Sequence, residues 1–149
     1  VSIYNYFGGK DNLVALCVND LFEEIAQQAE DILNSDLDFK TKLDHVFALC
    51  QEQMSQQISD YFQDKMVEDS VFSTLLTKAI TAKKRDIYRA YIHLGKAEGL
   101  IAEDLSTELI LNVMDALNGM GNQLDHSDNL ETEVDQIHQI FLYGIFGKK

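Results

Sequence analysis

The sequence predicts an all-α helical bundle, and three observations carry that prediction. Apolar residues recur at three- and four-residue steps almost throughout, no stretch alternates with the period of a strand, and the 149 residues contain no proline. Average usage of ~5% would supply about seven prolines, so polyproline linkers and proline-kinked turns are ruled out together. A chain of this length with 46% apolar and 25% charged residues can bury a real core, which argues against disorder.

The first long element runs from Lys10, where Val14, Val18, Leu21, Phe22, Ile25, Ala29 and Ile32 form one stripe and Glu23, Glu24, Gln27, Gln28 and Glu30 fill the other side, ending near Asn34. The second begins near Asp38, with Asp38 or Asp36 as its cap, and carries Phe39, Leu43, Val46, Phe47, Cys50, Met54 and Ile58. A modest helix over 61–67 comes next. A long one then runs from about Ser70 through Phe72, Leu76, Ile80, Ile87, Tyr88, Tyr91 and Ile92, with Gly95 and Gly99 expected to end it because glycine accepts the left-handed conformation. Residues 100–105 form a connector, and Ser106 caps the next helix through the amide of Leu109; Glu108 falls one position early for a capping box.

The last two helices differ from the others. Leu109, Ile110, Leu111, Val113, Met114, Ala116, Leu117 and Met120 surround most of one axis, as do Ile137, Ile140, Phe141, Leu142, Tyr143, Ile145 and Phe146 the other, with a polar loop over 121–129 between them. Helices apolar on all sides must be covered on two, which predicts an isologous homodimer with Leu109, Val113, Leu117, Met120, Ile137, Phe141 and Ile145 at its interface.

Twelve bases against 25 acids give a net charge of −13, which repels nucleic acid and anionic membranes over most of the surface. The charge is uneven. Residues 11–70 carry 14 acids and three bases, residues 71–100 six bases and two acids, and residues 101–149 nine acids and two bases. The basic island of Lys78, Lys83, Lys84, Arg85, Arg89 and Lys96 reads first as a solvated helix face, with an anion site as the alternative. No apolar run approaches the ~18 residues of a membrane span, and two distant cysteines, Cys17 and Cys50, fit a reducing, cytoplasmic setting.

No catalytic constellation is evident. There is no nucleophile elbow, no phosphate-cradling glycine loop and no Glu-x-x-His pair, and Cys17, Cys50, His45, His93, His126 and His138 lack the spacing of a metal site. The expectation is a protein that is not an enzyme and that holds neither metal nor cofactor.

The sharpest motif lies at the start. Val1-Ser2-Ile3-Tyr4-Asn5-Tyr6-Phe7-Gly8-Gly9-Lys10-Asp11-Asn12-Leu13 reads as an apolar-aromatic helix end, a glycine turn and the opening of a long helix. It resembles the end of the recognition helix and the start of the next helix in the TetR/AcrR family of transcriptional regulators, with Ser2-Ile3-Tyr4, Tyr6-Phe7, Lys10-Asp11 and Leu13 in register. Gly99-Leu100-Ile101, Gly119-Met120-Gly121 and the Tyr143–Gly147 ending fit the family's variable C-terminal domain in layout only.

The resemblance implies a C-terminal effector-binding and dimerisation domain over 10–149, with 10–34 as the connecting helix and 1–9 as a remnant of the reading head. The family's two preceding helices are not in this sequence, so operator binding is expected of the complete protein and not of these residues alone. By resemblance, Tyr4 and Tyr6 donate to phosphates, Lys10 contacts a phosphate at the next helix start, and Ser2 or Asn5 touches a base edge. Phe7 and Leu13 would pack between reading head and body, and Ile3 in the core.

A small, largely apolar effector would sit among Phe47, Cys50, Met54, Tyr61, Phe62, Phe72, Leu76, Ile80, Tyr88, Tyr91 and Met114, each of which also reads as ordinary core. His45 and His93 could orient a polar group of it. The expected function is a ligand-responsive dimeric regulator, chiefly a repressor. The alternative is a dimeric helical interaction module without ligand sensing.

Overall fold

The computed structural model describes residues 3–6, 8–53, 70–121 and 130–145; Ser2, Met54, Tyr61, Phe62, the 61–67 helix and the 122–129 loop lie outside them. Among the described residues the fold is all-α, with no strand. The elements are α1 (Ile3–Tyr6), α2 (Lys10–Leu33), α3 (Phe39–Ala48) widening into a π-turn (Leu49–Gln53), α4 (Ser70–Ala97), α5 (Thr107–Gly121) and α6 (Leu130–Ile145). The chain divides into two compact units, Val1–Ile87 and Tyr88–Lys149, with the division inside α4.

In the first unit α2 packs on α3 and on the π-turn. Of the stripe read from the sequence, Val14, Val18, Leu21, Phe22, Ile25 and Ala29 of α2 are buried and Ile32 is half-buried; Leu13 joins the buried set, with Phe39, Leu43, Val46 and Phe47 of α3. Each large side chain removed from water stabilises the fold by roughly 1.5–3 kcal/mol before conformational entropy is charged against it.

Capping fixes the α2–α3 corner. Asp38 accepts from the Thr41 amide at 3.1 Å and from its hydroxyl at 2.6 Å, so Asp38 rather than Asp36 is the cap. These bonds to the charged form hold the Asp38 carboxyl below the usual carboxylate range. Lys42, buried despite its charge, extends Nζ back to the Leu33 carbonyl at 2.8 Å, satisfying one of the acceptors that the end of α2 leaves open.

Two details differ from the sequence expectation. The α3 stripe does not continue as one α-helix, because the backbone widens at Leu49–Gln53; a spacing of three and four residues fits either geometry, so periodicity does not separate them. Gly95 does not end α4. It lies inside the helix, and its carbonyl accepts from the amides of Leu100 (2.9 Å) and Ile101 (3.0 Å). Gly99 alone takes the left-handed conformation (φ 71°), and its amide donates to the Lys96 carbonyl at 3.0 Å, completing a Schellman stop.

In the second unit α5 packs on α6. The Ser106 hydroxyl accepts from the Leu109 amide at 3.3 Å, as its position predicts. Lys96 donates to the Leu105 carbonyl, and Arg89 meets Glu108 at 2.9 Å, so both ends of the connector are tied to α4. Ile110, Leu111, Met114, Phe141 and Leu142 are buried.

Candidate functional site

Three surfaces are candidates for a functional role, and the first is the N-terminal turn. The Gly8 amide donates to the Asn5 carbonyl at 3.3 Å, and the Asn12 side-chain amide donates to the Gly8 carbonyl at 3.3 Å. Gly8 has φ 79°, and a Cβ there would lie 2.8 Å from Asn12 Nδ2. Gly9 has φ 113° and ψ 169°, a region that essentially only glycine occupies. The two glycines thus set the direction in which α1 leaves α2.

Gly9 supplies no side-chain cap, and Asp11 in the first turn complements the helix dipole. Asn5 is exposed and Tyr6 is 82% exposed, so α1 offers an amide and a phenol to solvent. Lys10 is half-buried at the first position of α2. The side chain of Tyr4 lies outside the described residues.

The second surface is a groove of about 650 Å³ in the first unit, between α2 and the first part of α4. Leu16, Asn19, Asp20, Phe22, Glu23 and Ala26 form its α2 wall; Lys83, Asp86 and Ile87 form its α4 wall. Position 16, the adjacent pair 19 and 20, and positions 23 and 26 follow at three- or four-residue steps, on the side of α2 beside its buried stripe. Burial raises the Cys17 thiol pKa, and the negative charge of Asp20 raises it further, so Cys17 stays a protonated thiol at neutral pH.

None of the residues expected to hold the effector is among the groove's described walls. Phe47 and Cys50 are buried in the α3 and π-turn segment, and Phe72 and Leu76 are buried on α4, with Ile80 half-buried. Tyr88, Tyr91 and Met114 are buried and belong to the second unit. His45 and His93 are both exposed.

Sequence reasoning passed over Asn19, Asp20 and Asp86, and placed Lys83 on a solvated face. The available signal was Leu16, an apolar residue outside the buried stripe and one turn from Asn19 and Asp20.

The third surface is apolar and lies in the second unit. Leu109 (58% exposed) and Val113 face solvent from α5, and Ile140 (72%) and Tyr143 face it from α6. Of the residues expected at a dimer interface, Leu109 and Val113 are exposed, Leu117 and Ile137 are half-buried, and Phe141 is buried. The side chains of Met120 and Ile145 lie outside the described residues.

Among the described residues, no three His, Cys, Asp or Glu side chains gather as a metal site would require. No described helix is long and apolar enough to cross a membrane. Comparison with protein-family models, curated proteins and solved structures finds no match.

Proposed function

We propose that the chain is the effector-binding and dimerisation part of a TetR-like transcriptional regulator, a cytoplasmic repressor that releases its operator when a small molecule binds. One observation supports this reading: the described part of the typed motif, Ile3 to Tyr6 and Gly8 to Leu13, falls on a short helix, a turn that needs two glycines, and the start of a 24-residue helix. A recognition helix joined by a fixed turn to a long connecting helix converts tilting of the body into displacement of the reading head.

In a dimer the two recognition helices enter successive major grooves about 34–36 Å apart. An effector that prefers the conformation in which α2 is tilted spoils that spacing. Equal affinity for both conformations would shift nothing. The exposed Leu109, Val113, Ile140 and Tyr143 support self-association through α5 and α6.

The test is selection of the complete regulator, including a whole helix-turn-helix domain, against a random pool of DNA duplexes. Enrichment of a palindrome with half-sites one helical turn apart supports the reading. Recovery of a pool without sequence preference overturns it.

A further inference from the structure

We draw no further inference here: the strongest candidate, the apolar face that Leu109 and Val113 of α5 and Ile140 and Tyr143 of α6 leave in solvent, belongs to the self-association surface already proposed, and nothing in the structure shows what else would cover it.

Discussion

Helix α2 and the pair α5 and α6 solve the burial problem differently. On α2 every large stripe residue from Leu13 to Ile25 is buried and, Leu16 apart, the far side is chiefly carboxylates and amides, so packing along one face satisfies the helix. On α5 and α6, burying Ile110, Leu111, Met114, Phe141 and Leu142 still leaves Leu109, Val113, Ile140 and Tyr143 in solvent. A single layer of packing completes the first and leaves the second with apolar surface to spare. An apolar stripe is used up in a core, whereas apolar residues on both sides of a helix leave exposed surface of the kind the proposed dimer would cover.

The sharpest way to break this contrast is to exchange the two kinds of site. Ile25→Ala, at a side chain with 0% exposure, removes core volume and should cost about 2–5 kcal/mol in chemical denaturation. Leu109→Glu with Ile140→Glu should leave helix content unchanged and convert the proposed dimer to monomer, weakening association by two orders of magnitude or more, about 2.7 kcal/mol or above, in sedimentation. An unchanged sedimentation coefficient would rule out α5 and α6 as an assembly surface.

A smaller effect probes what holds α2 against α3. Lys42→Met keeps the buried stem but leaves the Leu33 carbonyl without its donor, and should cost about 1–3 kcal/mol by urea titration. The smallest effect concerns the Asp38 cap. Because the folded state holds this carboxyl below its ordinary range, its contribution is present above the unfolded pKa and is lost as pH falls through the folded one. Asp38→Asn, an equally good cap, should therefore match the parent protein near neutral pH and flatten the acid limb of its melting curve, read from thermal melts across that range.

Much of this architecture was legible because local rules and packing agree. The α2 stripe, the Asp38 and Ser106 caps and the Gly99 stop each rest on residues within a few positions of one another. What was not legible depends on space rather than spacing. Lys42 and Lys96 each reach a carbonyl nine residues away across a connector, and periodicity assigns such lysines to solvent. The π-turn shares its three- and four-residue spacing with an α-helix. The groove joins residues 16–26 to residues 83–87, a meeting that only tertiary structure creates. Phe47, Phe72 and Tyr91 were natural candidates for a pocket from type alone, and their near-complete burial is equally what a core requires.

The reading of the N-terminal turn is tested most directly by the salt dependence of DNA binding, measured with Lys10→Ala in the full regulator that this reading proposes. Removing one phosphate contact should weaken binding to specific and non-specific duplexes alike and make the slope of log K against log salt shallower by about one. A slope identical to that of the parent protein would contradict the placement of Lys10 on the DNA backbone.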